Sequence, residues 1–174
     1  HSALARNTMP NAQWFTGAQT NYVQQVFRHC DAAHAAGFPA IISTNEKGQT
    51  RELSWPELRR QTAALAIYLQ EQGIQPGDRV AAYLPNITEA AIAMLACLSI
   101  GAVWSICAPD MGTHAVLDRF QQIEPKVLIA CDGVTYGGKD HDRLQVVEEL
   151  RKGLPTVHHV ILCRNLHTHS SLEN

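Results

Sequence analysis

The sequence predicts an α/β domain built on a mainly parallel sheet with helices on both faces. Three observations carry that prediction. Residues 78–112 (DRVAAYLPNITEAAIAMLACLSIGAVWSICAPDMG) divide into an apolar run at 79–84, a helix-like stretch at 88–99 and a second apolar run at 102–107. Two buried strands joined by a helix are parallel, because the chain must cross back before pairing. Strand-like and helix-like stretches keep alternating as far as residue 163, the pattern of a sheet covered on both sides. The chain has 174 residues and is 45% hydrophobic, enough for one domain with its own core.

Each element has a local reason. Residues 1–19 read as an irregular lead-in, with Trp14 and Phe15 expected to pack onto the domain as an anchor. Residues 20–166 read as the single α/β domain, and the polar stretch 167–174 as a disordered tail. Tyr22, Val23, Val26 and Phe27 have helical spacing and predict a helix over 21–34, stopped by Gly37 and Pro39. Runs 40–44 and 50–54 flank Asn45, Glu46, Lys47 and Gly48 and read as a hairpin. Ser54 is placed to cap a helix over 55–72, with Pro56 in its first turn and Glu57 completing a capping box. Leu58, Thr62, Leu65 and Leu69 share one face of it, and Gly73 ends it.

Beyond the central unit, Thr113 reads as the cap of a helix over 114–123, terminated by Pro125. Residues 126–131 are a third buried strand, and 132–142 a Gly-containing polar loop. A helix over 143–152 stops at Gly153 and Pro155, and 157–163 form a fourth strand.

Composition excludes several classes. Net charge is −2, and only Arg59-Arg60 and Arg151-Lys152 are adjacent basic pairs, so a nucleic-acid footprint is missing. The five cysteines are odd in number and form no CxxC; four of them lie inside apolar runs, as free thiols of a reducing compartment do. The longest apolar run, 90–107, is interrupted by Ser99, Gly101 and Ser105 and makes a poor membrane span. A cytoplasmic location is therefore expected.

Ligands of such sheets bind beyond the carboxyl ends of the strands. Here those ends carry Pro85 and Asn86, residues 108–112, residues 132–139, and Arg164 with Asn165. The stretch GVTYGGKD at 133–140 fits G-x-x-x-x-G-K, but Asp140 stands where a P-loop needs a hydroxyl for Mg²⁺. What remains is a surface loop with Lys139 as a single cation. No G-x-G-x-x-G follows a strand, and neither G-x-S-x-G nor H-E-x-x-H occurs. The nine histidines form no chelating set; His158 and His159, being adjacent on a strand, point to opposite faces. No catalytic group and no metal site is predicted. Asp110 can cap the helix that follows it or face a ligand, and the residues alone leave both open.

Several stretches resemble acyl-CoA synthetases of the acetyl and acetoacetyl type, within the adenylate-forming superfamily. They are NAQWFTGAQTNY (11–22), GDRVAAYLPNITEAAIAMLACLSIGAVWS (77–105), CAPDMG (107–112) and DGVTYGGKD (132–140); the last two are closer to the acetoacetyl branch. The resemblance implies that the chain is part of that superfamily's large N-terminal domain. It also implies a two-step ligase. ATP, carried with Mg²⁺, and acetoacetate form an acyl-adenylate and pyrophosphate, and the thiol of CoA then displaces AMP. The resemblance places the phosphate loop, adenine site, ribose-binding Asp and catalytic Lys beyond residue 174. It therefore implies an N-terminal segment of a longer synthetase, inactive without the remainder of the same chain. It also implies CoA contacts at Pro109, Asp110, Tyr136 and Lys139. Thr135, where related enzymes carry Arg, and Pro109-Asp110, in place of a Gly-Gly pair, depart from the family pattern. The competing readings are a stand-alone nucleotide- or CoA-binding module and an NTPase using residues 133–139, the latter opposed by Asp140.

Overall fold

Four strands whose side chains are apolar on both faces have nowhere to go but the middle of a layered structure. In the computed structural model, which describes residues 3–167, they form that middle. The elements in chain order are β1 (Leu4–Arg6), β2 (Gln13–Trp14), α1 (Tyr22–Phe27), α2 (Cys30–Ala35), β3 (Ile41–Thr44), β4 (Thr50–Leu53), α3 (Trp55–Glu71), β5 (Arg79–Tyr83), α4 (Thr88–Ser99), β6 (Val103–Cys107), α5 (Thr113–Gln121), β7 (Val127–Cys131), β8 (Gly133–Tyr136), β9 (Lys139–Asp142), α6 (Leu144–Gly153) and β10 (His159–Cys163).

The central sheet has the order β10-β7-β5-β6, every neighbouring pair parallel. Side chains alternate between its faces with period two. Val80, Ala82, Val127 and Ile129 pack with Leu69 of α3 and Ala93, Ala96 and Cys97 of α4. Ala81, Tyr83, Leu128 and Ala130 pack on the opposite face with Val116 and Phe120 of α5 and Val147 and Leu150 of α6. Helices thus cover both faces, as expected. A smaller cluster of Val23, Leu53, Leu58, Ile92 and Leu95 seats the β3–β4 hairpin and α1 against α3 and α4. Asn21 ties this corner together. Its Oδ1 accepts from Val23 N at the start of α1, and its Nδ2 donates to the Leu98 and Ser99 carbonyls ending α4.

Several expectations are corrected. Trp14 and Phe15 are 60% and 63% exposed and lean on each other, so they do not anchor the lead-in. The lead-in itself carries the short antiparallel ladder β1–β2. The helix over 21–34 breaks at Arg28 and His29 into α1 and α2. Ser54 does accept from Glu57 N, at 3.4 Å, but the Glu57 carboxylate accepts from Arg60 and Gln61, so only half of the capping box forms. Gly112, not Thr113, is the N-cap of α5. Residues 132–142 are not a loop but the β8–β9 hairpin. Its two-residue turn, Gly137 and Gly138, has φ of 60° and 73°, the two positive values a type I′ turn requires. His167, placed in the disordered tail, donates its N–H to Asp132 Oδ2 at 2.9 Å. The rest of that stretch, 168–174, lies outside the described residues.

Candidate functional site

The order of the sheet reverses between β5 and β7: β6 lies to one side of β5, β7 and β10 to the other. A crevice opens at the carboxyl ends where such a reversal occurs. Here it is a cleft of about 390 Å³. Pro85 and Asn86 follow β5 into it, Ala108, Pro109 and Asp110 follow β6, and the β8–β9 hairpin closes it with Val134, Thr135, Tyr136 and His141. Arg143 completes the wall. A second hollow, of about 490 Å³, lies between the β3–β4 hairpin, the start of α4 and residues 163–165.

Of the four residues singled out by sequence, three line the cleft. Pro109 is buried and its carbonyl is the hub of the loop after β6. It accepts from the Tyr83 hydroxyl at 2.9 Å and from Arg143 Nε at 2.9 Å. Asp110 is exposed on the rim, and the N-cap position of α5 is held by Gly112 rather than by Asp110. Tyr136 is 65% exposed and offers a ring face. Lys139 is brought only part of the way. It pairs with Tyr136 across the hairpin but is not part of the cleft wall. Thr135, at the departure from the family pattern, donates from its hydroxyl to Asp140 at 2.6 Å. That bond, helped by Lys47 at 3.6 Å, holds the Asp140 carboxyl below its usual range.

Tyr83 and Arg143 were not anticipated. Tyr83 ends a buried strand, where a tyrosine reads as core, yet a tyrosine only 1% exposed needs a partner for its hydroxyl. It finds the Pro109 carbonyl, while burial pushes the phenol above its ordinary range. The sequence places Arg143 first in the helix predicted over 143–152. It instead spans from the Asp142 carbonyl to Pro109 across the end of the sheet.

Asp132, between β7 and β8, holds the chain after β10. It is 0% exposed. Its Oδ1 accepts from the N–H groups of Asn165 and Leu166 at 2.7 and 2.9 Å, and its Oδ2 from that of His167. One carboxylate therefore secures the chain after β10 beneath β8.

The arrangement can hold a flat, partly apolar ligand with an anionic group: a ring face from Tyr136, apolar surface from Pro85, Ala108 and Val134, a guanidinium from Arg143. Among the described residues no His, Cys, Asp and Glu side chains cluster in a set that could hold a metal, and no helix is long and apolar enough to cross a membrane.

Comparison with known proteins agrees on one lineage. The family described as AMP-binding enzyme matches residues 27–173. The acetoacetyl-CoA synthetase of Rattus norvegicus is 39% identical over 150 residues, covering 86% of this chain. The acetoacetyl-coenzyme A synthetase of Rhizobium meliloti (strain 1021) is 42% identical over 151 residues, again 86% of the chain. In both cases the chain spans 22% of the relative's length. The solved acetoacetyl-CoA synthetase from Streptomyces lividans superposes with a TM-score of 0.90 at 48% identity, covering 97% of this chain and 26% of that one.

Proposed function

The chain belongs to the AMP-binding enzyme family, and on that premise we propose that it forms the N-terminal part of an AMP-forming acid–thiol ligase that joins acetoacetate to CoA in the cytoplasm. The observation that carries this reading is the 48% identity and 0.90 TM-score to the Streptomyces lividans acetoacetyl-CoA synthetase over nearly the whole chain. In the reaction, acetoacetate would attack ATP to give an acyl-adenylate and pyrophosphate, converting a poor leaving oxygen into a good one. The CoA thiol would then release AMP. Mg²⁺ would arrive with ATP.

The chain's own share is binding and orientation. The cleft at the β5–β7 reversal takes the nucleotide end of CoA, with Tyr136 as a stacking face, Arg143 on the wall and Lys139 as an outlying cation. Pro109 and Asp110 shape the opposite lip. No residue here is assigned to the chemical step, so the chain alone binds without turning over.

Two measurements test this. Calorimetric titration of the chain with CoA is expected to give weak binding that Tyr136→Ala and Lys139→Ala each reduce, with no comparable signal from MgATP. A chimera carrying residues 3–167 in place of the matching segment of the Streptomyces lividans enzyme is expected to make acetoacetyl-CoA. Tight MgATP binding by the isolated chain, or a folded chimera without acetoacetate-dependent AMP release, would sink the proposal.

A further inference from the structure

At the tip of the β8–β9 hairpin, the N–H groups of Gly137 and Gly138 donate to one carboxylate, at 3.2 Å to Glu46 Oε1 and 3.0 Å to Glu46 Oε2. Both glycines have positive φ, 60° and 73°. Successive backbone amides in a turn can form an anion-binding concavity, and here each amide takes one oxygen of the same carboxylate. The carboxylate comes from the turn between β3 and β4, about ninety residues earlier in the chain. Next to it, Lys47 lies 3.6 Å from Asp140, a second link between the same two turns. Glu46, Gly137 and Gly138 are all exposed.

An exposed contact of this kind adds little to the stability of the fold. Its chemical consequence is larger. An amide N–H serves one strong acceptor at a time, so any anion that takes these donors must remove Glu46. We propose that the Gly137–Gly138 turn is a phosphate-binding cradle, that Glu46 fills it in the free chain as a tethered competitor, and that a phosphorylated ligand binds there by displacing Glu46. Lys139 directly follows the turn in sequence, and Lys47, which follows Glu46, lies 3.6 Å from Asp140, so the two turns carry two cations between them. Asp140, the acidic residue that follows Lys139, is already engaged by Thr135 and Lys47. Displacement also frees the β3–β4 hairpin from the β8–β9 hairpin. The two hairpins line the two hollows of the carboxyl edge, so Glu46 couples entry into one hollow to the shape of the other. The proposal rests on the CoA reading only for the identity of the natural phosphate donor.

The test follows the amide resonances of Gly137 and Gly138 in ¹⁵N-labelled chain, first with inorganic phosphate and then with CoA. In Glu46→Ala both resonances are expected to move before any ligand is added, with the rest of the spectrum unchanged as the control for folding. Half-saturation by phosphate at these two amides is expected at about fivefold lower concentration than in the unmodified chain, with Glu46→Gln between the two. Glycine amides indifferent to Glu46→Ala, or equal phosphate affinity in both chains, would overturn the cradle. The two readings separate cleanly. Phosphate titrating these amides while CoA leaves every resonance unmoved keeps the cradle and removes the CoA assignment. CoA shifting Tyr136 and Arg143 equally in both chains, with the glycine amides still, removes the cradle and keeps CoA.

Discussion

The hydroxyl of Tyr83, at the end of β5, lies 2.9 Å from the carbonyl oxygen of Pro109, two residues beyond β6. The bond joins the carboxyl ends of adjacent strands, and Arg143 Nε donates to the same oxygen at 2.9 Å. Tyr83→Phe removes one donor and leaves the ring. A loss of about 1–2 kcal/mol in urea unfolding is expected. Combined with Arg143→Leu, the loss should exceed the sum of the single changes, because the Pro109 carbonyl then has neither donor. Simple additivity would show that the carbonyl is satisfied some other way.

Acid sensitivity should trace in part to Asp78. Lys126 Nζ donates to its Oδ2 at 2.8 Å, and Gln75 N at 2.8 Å. These bonds, the lysine's first, hold the carboxyl below its ordinary value. A group whose folded pKa is depressed stabilises fully above its unfolded pKa, about 3.9, and ceases to do so as pH falls through the folded value. Glu57 acts in the same direction: hydrogen bonds from Arg60 and then Gln61 lower it to about 2. Urea midpoints are therefore expected to decline below about pH 4, and Asp78→Asn should flatten that decline. A variant as acid-sensitive as the parent would contradict the assignment.

Gly133 is required for want of space. A Cβ there would sit 2.5 Å from the His141 carbonyl oxygen and against the Leu166 side chain. The leucine can shift; the carbonyl, in the paired strand, cannot. Gly133→Ala is expected to lower stability by about 1–3 kcal/mol and to loosen the hairpin that bounds the cleft. Thermal melting of the variant, compared with Gly112→Ala, where the added methyl meets nothing, provides the measurement.

The thiols should be slow. Burial raises Cys97 and Cys131 to about 12 and Cys163 to about 11. At pH 8 about one Cys97 thiol in ten thousand is then ionised, and the thiolate is the reactive form. Native chain is expected to react sluggishly with a disulfide reagent, Cys163 ahead of the others because it lines the hollow beneath the β3–β4 hairpin. All five should react at once in urea. Prompt modification of Cys97 in native chain would refute the packing described.

The parallel sheet was legible because burial on both faces leaves a plain trace: residues 127–131 are uninterrupted apolar, and every one is at most 1% exposed. The β8–β9 hairpin was missed for the converse reason. Residues 135–142 are mostly polar and lie outward, so no apolar alternation marks the strands. The available signal was the Gly137-Gly138 pair between two short extended runs, read instead against a phosphate-loop pattern. The break between α1 and α2 had no signal, since neither Arg28 nor His29 is a helix breaker. Around the cleft, Pro109, Asp110 and Tyr136 were singled out by the family resemblance and line it, whereas Tyr83 and Arg143 act through the backbone of a loop distant in sequence, which no local pattern reveals.

The strand order carries a consequence for synthesis. β5 leaves the ribosome first of the four but ends between β6 and β7. Its pairing with β6 is complete once residue 107 has emerged. Its opposite edge waits for Val127, which pairs with Val80. A nascent chain stalled between these points displays a bare strand edge, the surface most prone to wrong partners and to chaperone capture. The strand that later supports the candidate cleft is thus the one most in need of protection while the chain is being made.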